Sequence, residues 1–133
     1  MSGPLPTRMV FLSDLPTIAV GEKVRFLGCV QEYAIPTATL LLTHAYPKSD
    51  TLVVALLDVS LLLESLQSTD IAVGAWVNVV GYVTGVEKRN PGNGDQSTGP
   101  RVRGQAIMVW SAGQLKIGKY EQVLDERLQV KEV

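Results

Sequence analysis

The sequence predicts an all-β domain with accessory helices, closed into a small barrel, on three observations. Five segments alternate apolar and polar residues with the period of two that a pleated strand imposes. A helical period interrupts them once, between the third and fourth strands, and returns at the end of the chain. Two of the strands, KVRFLGCVQ and WVNVVGYVT, share the form apolar-x-apolar-x-Gly-x-Val and carry Gly28 and Gly81 in mid-strand. Glycine weakens an ordinary strand there, but it permits the strong coiling that a small barrel demands.

Each element follows in order. Residues 1–20 form an N-terminal lead-in, in which Met9, Val10, Phe11 and Leu12 are broken by Asp14 and Pro16, and the reading is an extended cover over one end of the domain. The barrel spans residues 21–113. Its first strand is Glu22 to Tyr33, with Val24, Phe26, Gly28 and Val30 on one face and Lys23, Arg25, Leu27, Cys29 and Gln31 on the other. The second runs from Thr37 to Tyr46. The third, Thr51 to Leu57, is apolar on both faces and is expected to be deeply buried. From Asp58 to Gln67 the positions Val59, Leu62, Leu63 and Leu66 fit a helix that Asp58 or Ser60 can cap.

The fourth strand is Trp76 to Val86. Asn90 to Pro100, with its glycines and prolines and no large apolar residue, reads as a loop. The fifth strand, Arg101 to Trp110, places Ala106, Met108 and Trp110 on one face and Arg101, Arg103 and Gln105 on the other. Residues 114–133 supply a C-terminal helix, from about Ile117 to Val130, and a tail. The order β-β-β-α-β-β-α is that of the five-stranded OB-fold barrel. The same valine-rich strands also suit another small sandwich or barrel.

Composition narrows the function. The chain has 133 residues, enough for one domain with a core of its own. An apolar fraction of 46% against 19% charged excludes a disordered chain. The single cysteine, Cys29, excludes an intramolecular disulfide and a multi-cysteine zinc site. Met1 to Thr7 lacks the apolar core of a signal peptide, and no stretch suits a membrane helix, so the expectation is a cytosolic or nuclear protein. Twelve basic residues face thirteen acidic ones, whereas an autonomous DNA binder carries a basic excess.

Motifs for catalysis are missing. One histidine, His44, and one cysteine could form a nucleophile pair only arithmetically, with no oxyanion loop or orienting acid in a familiar pattern. Gly92 and Gly94 do not lead from a strand into a helix, so no phosphate cradle is expected. No enzyme, cofactor or metal is therefore expected. The basic residues Lys48, Lys88, Arg89, Arg101 and Arg103 are candidates for single-stranded nucleic acid, because OB folds bind strands near the loops they border. Tyr46 is a candidate stacking platform. The competing reading is that these charges serve solubility and guard strand edges.

The C-terminal helix carries the clearest interaction signal. Ile117, Tyr120, Leu124 and Leu128 form a stripe, and Val123 and Arg127 border it. Such a stripe can cap the barrel's open end, dock a partner helix, or divide its edges between the two.

The run RMVFLSDLPTIAVGEKVRFLGCV, the strand WVNVVGYVT and AIMVWSAG leading into KYEQVL resemble the smallest subunit of the fungal CST telomere-capping complex, the Ten subunit, from about Arg8 to Leu128. The resemblance implies a single OB fold similar to the smallest subunit of replication protein A. It implies a heterodimer with the N-terminal OB domain of a larger CST subunit, made chiefly by C-terminal helices. It also implies end protection, restraint of telomerase, help to polymerase alpha in fill-in, and binding of single-stranded G-rich telomeric DNA mainly through the complex. Carried onto this chain, the helical contacts are Ile117, Tyr120, Val123, Leu124, Arg127 and Leu128, and Arg25 is a further basic position able to face the partner. An autonomous single-stranded DNA or RNA binder is the alternative.

Overall fold

The computed structural model describes residues 6–87 and 98–131. Six strands, β1 (Arg8–Met9), β2 (Lys23–Ala34), β3 (Thr39–Thr43), β4 (Leu52–Asp58), β5 (Trp76–Glu87) and β6 (Thr98–Ser111), precede one helix, α1 (Ile117–Lys131). Their hydrogen-bonded order is β1-β2-β3-β4-β6-β5, and β2 also pairs with β5. That pairing closes β2 to β6 into a barrel and removes the exposed edges of an open sheet. The five strands read from the sequence are β2 to β6. β3 meets β2 only from Cys29 onward, and β1 pairs in parallel with the first half of β2, Arg8 opposite Val24 and Met9 opposite Arg25.

The interior follows the alternation. Val24, Phe26 and Val30 of β2 are buried with Leu40, Leu42, Leu57, Val77, Val79 and Val102. Leu12, Leu15 and Ile18 join the same cluster. The lead-in is therefore core and not an extended cover: Leu12–Thr17 form a 3-10 helix. Asp14 shapes it, its carboxylate accepting the Phe11 N–H at 3.1 Å and its carbonyl accepting the Thr17 hydroxyl at 2.7 Å.

Gly28 makes room for this plug. A Cβ there would stand 2.9 Å from the Leu42 Cβ and 3.2 Å from Leu12 Cδ1. At Gly81 a Cβ would overlap the Gln105 carbonyl oxygen of the neighbouring strand. Both glycines allow close approach inside a narrow barrel.

Four further expectations need correction. The segment from Asp58 to Gln67 is not a helix but a 3-10 turn, Ser60–Leu62, followed by further turns. Val59 is buried and Leu62 and Leu66 pack on the core, so the apolar spacing is used by consecutive turns, while Leu63 stays exposed. The first half of β4 is only partly buried. β6 begins at Thr98, inside the stretch read as a loop.

The fourth concerns the faces of β6. Val80 lies opposite Met108 and Gly81 opposite Ala106, which leaves Ile107 as the extra residue of a bulge. The alternation inverts there, so Ala106 and Val109 face inward while Met108 is exposed.

Candidate functional site

Two surfaces gather the residues singled out from the sequence. The first is the flank where α1 sits. Leu27 is buried although its neighbours in alternation, Arg25 and Cys29, lie on the barrel's outer face, and Phe11 and Leu124 are likewise buried. Phe11 belongs to an aromatic cluster. The Phe11 ring stands 5.0 Å from Tyr46 and 6.0 Å from His44, and His44 meets Trp76 edge-on at 5.2 Å and Tyr120 at 6.5 Å.

Two carboxylates one helical turn apart hold α1 to this layer. Glu121 Oε2 lies 2.7 Å from His44 Nε2, and the Tyr46 hydroxyl donates to Asp125 Oδ2 at 2.9 Å. Because a carboxylate only accepts and His44 Nδ1 is buried without a partner, the ring proton is assigned to Nε2. The bond to Asp125 raises the Tyr46 phenol above its ordinary range.

The predicted helix residues divide. Leu124 is 3% exposed and committed to its own barrel, and Ile117, Tyr120 and Leu128 are half-buried. Val123 is 45% exposed and Arg127 is exposed as well. Together with Met9, Leu115, Lys119 and Tyr120 they line an apolar groove of about 270 Å³. Arg25 lies on the same flank, its guanidinium 5.1 Å from the Trp110 ring centre. Its Nε and the Tyr120 hydroxyl are buried and lack hydrogen-bond partners among the described residues. Burial raises the Tyr120 phenol, and the Arg25 charge opposes that shift.

The second surface lies beside the β3–β4 connection. Lys48, Tyr46, His44, Asp14 and Pro100 line a cavity of about 420 Å³. Arg101, one residue on, is exposed and lies opposite Val54. Arg103 is also exposed, but its Nε donates to Glu87 Oε1 at 2.6 Å. Tyr46 is shared with the helix seat, its ring against Phe11 and its hydroxyl on Asp125. Lys88 and Arg89 lie outside the described residues. Phe11, Glu121 and Asp125 were missed from sequence; the i, i+4 spacing of the two acids was the available signal.

The closed barrel, its plugged core and its flank-seated helix define an OB-fold protein. Residues 1–125 match the Ten1 family, described as a telomere-capping CST complex subunit, and the chain belongs to that family. The resemblance read from the sequence holds. A solved chain of the S. pombe Stn1–Ten1 complex is 24% identical, with 96% of each chain covered and a TM-score of 0.65. The telomere-capping protein Ten1 from S. pombe, solved separately, is 25% identical over 93% of this chain and 99% of its own, also with a TM-score of 0.65. An asparaginyl-tRNA synthetase from Entamoeba histolytica shares the fold alone, at 9% identity and a TM-score of 0.52 over 86% of this chain and 26% of its own. Among curated proteins none matches the chain.

Proposed function

We propose that the chain is the small, non-enzymatic subunit of a nuclear telomere-capping complex and docks on a larger OB-fold subunit through the outer edge of α1. The observation that carries this reading is the division of the helix. Leu124 is spent on its own barrel, Ile117, Tyr120 and Leu128 are half-buried, and Val123 and Arg127 remain at an apolar groove with Met9 and Leu115. Exposed apolar surface of this kind marks interaction sites, and Arg and Tyr are favoured at their centres. The S. pombe Stn1–Ten1 complex supplies the precedent for the partner. Arg25 and the half-buried Ile117, Tyr120 and Leu128 border or support this surface, and Leu124 anchors it.

In this reading the chain assists binding of single-stranded telomeric DNA, end protection and lagging-strand fill-in. Lys48 and Arg101, near the β3–β4 cavity, are the described cations placed to follow a phosphate backbone, and Arg103 contributes less because of Glu87. A net charge of −1 suits a subunit whose partner supplies most of the DNA affinity.

The test is fluorescence anisotropy of a labelled telomeric single strand at low and physiological salt, with the chain alone and then with the larger subunit's N-terminal OB domain. Weak binding alone and tighter binding together is the expected result. Tight, salt-dependent binding by the chain alone would favour an autonomous single-strand binder.

A further inference from the structure

The end of the barrel away from Lys48 carries apolar side chains that its own fold does not use. Ile35 is 77% exposed, Leu61 69% and Val73 75%, and Leu63 is exposed too. They belong to two connections, β2–β3 and β4–β5. The Val59 N–H donates to the Ala38 carbonyl at 2.9 Å, tying the turn at Ile35–Thr37 to the turn at Ser60–Leu62. The Gly74 N–H donates to the Val30 carbonyl at 2.8 Å, bringing the Val73 segment against the last part of β2.

The inward residues of these turns, Leu62, Leu66 and Ile71, already complete the core. Leu61, Leu63 and Val73 flank them in sequence and stay exposed. Single exposed apolar residues are normal, whereas several at one end with a uniform charge around them mark an interface.

The charged residues within these connections are acidic. Glu32, Asp58, Glu64 and Asp70 lie in or beside these connections. Lys48 is the only Lys or Arg between Arg25 and Lys88, and it sits past the other end of β3. The Ser60 hydroxyl, and after it the Ser60 amide, hold the Asp58 carboxyl below the usual carboxylate range. We infer that this acidic, apolar end of the barrel docks a segment of a second protein in which Lys or Arg residues are interspersed with Leu- or Ile-like ones.

Nucleic acid does not fit, because its phosphates meet carboxylates here. The Ile35 and Leu61 turns are also separate from the α1 groove. Ala38 precedes β3 and His44, which holds α1, follows it, and such a span of strand is about 20 Å. Both surfaces can be occupied at once, so this inference stands whether or not α1 is the docking helix.

The experiment is an NMR titration of the full isotope-labelled chain with two synthetic amphipathic peptides. They share the same Leu and Ile positions, and the polar positions are Lys in one and Glu in the other. The Lys peptide is expected to shift residues 32–37 and 58–74, and the Glu peptide to leave them in place. The paired variants Ile35→Ser with Leu61→Ser, and Glu64→Lys with Asp70→Lys, should each weaken the Lys peptide by at least about tenfold. Circular dichroism should remain native, since Ile35, Leu61 and Glu64 are exposed and Asp70 lies in a surface turn. Shifts that map elsewhere, equal response to both peptides, or unchanged affinity in either folded variant would overturn the inference. Concentration-dependent shifts of the same residues without peptide would assign the surface to a second copy of the chain and overturn it as well.

Discussion

The His44 ring and the Glu121 carboxylate meet at 2.7 Å across 77 residues of sequence, and with Tyr46 and Asp125 they fasten α1 to the flank of the barrel. The helix is therefore a fixed part of the fold, and its exposed edge is presented at a set angle. Glu121→Ala is expected to cost about 1–3 kcal/mol, because a buried ring N–H loses its acceptor. Glu121→Gln, which keeps an acceptor, should cost less. Urea midpoints at unchanged m-value measure both.

Tyr46→Phe should also destabilise, by less than Glu121→Ala, because its site is more open to solvent. The effect has a pH signature. Asp125 raises the folded-state phenol above its unfolded value. The stabilisation is thus complete below about pH 10, the unfolded value, and is lost as pH rises through the folded one. The gap between parent and Tyr46→Phe should narrow in alkaline urea titrations.

The two mid-strand glycines should differ in tolerance. Gly28→Ala presses on the Leu42 Cβ and on the flexible end of Leu12, and is expected to cost about 1–3 kcal/mol. Gly81→Ala presses on the Gln105 backbone carbonyl, which β5–β6 pairing fixes, and should cost more. Thermal unfolding of the two variants side by side checks the order.

Cys29 is the one thiol, and burial pushes its pKa up. Only the thiolate reacts, so alkylation near neutral pH should be slower than for a free cysteine. Urea should release the thiol to the ordinary rate.

Much of this was legible from local pattern. The inward residues of β2 and the stripe of α1 follow from period alone. What the pattern could not reveal depends on pairing across the chain. Ile107 is a bulge only because Gly81 meets Ala106 and Val80 meets Met108. The helical spacing of Val59, Leu62 and Leu66 is equally served by turns that reach into the core from one end. Leu27, on the polar face of its strand, is buried because the flank is covered.

The helix shows the same limit. Its stripe was readable, but not that Leu124 would be spent on the barrel and Val123 left outside. Removing Tyr120 and Leu124 together, an obvious test from sequence, would loosen the helix from its seat before it tested a partner.

The most direct measurement is therefore the affinity of the full chain for the N-terminal OB domain of the larger CST subunit, with Val123→Glu compared to the parent by titration calorimetry. The exposed position tolerates the change in the free chain. The expected result is a one-to-one complex that Val123→Glu weakens by at least about tenfold, with native circular dichroism. A variant that binds as tightly as the parent, or a parent that does not bind at all, would contradict docking through the outer edge of α1.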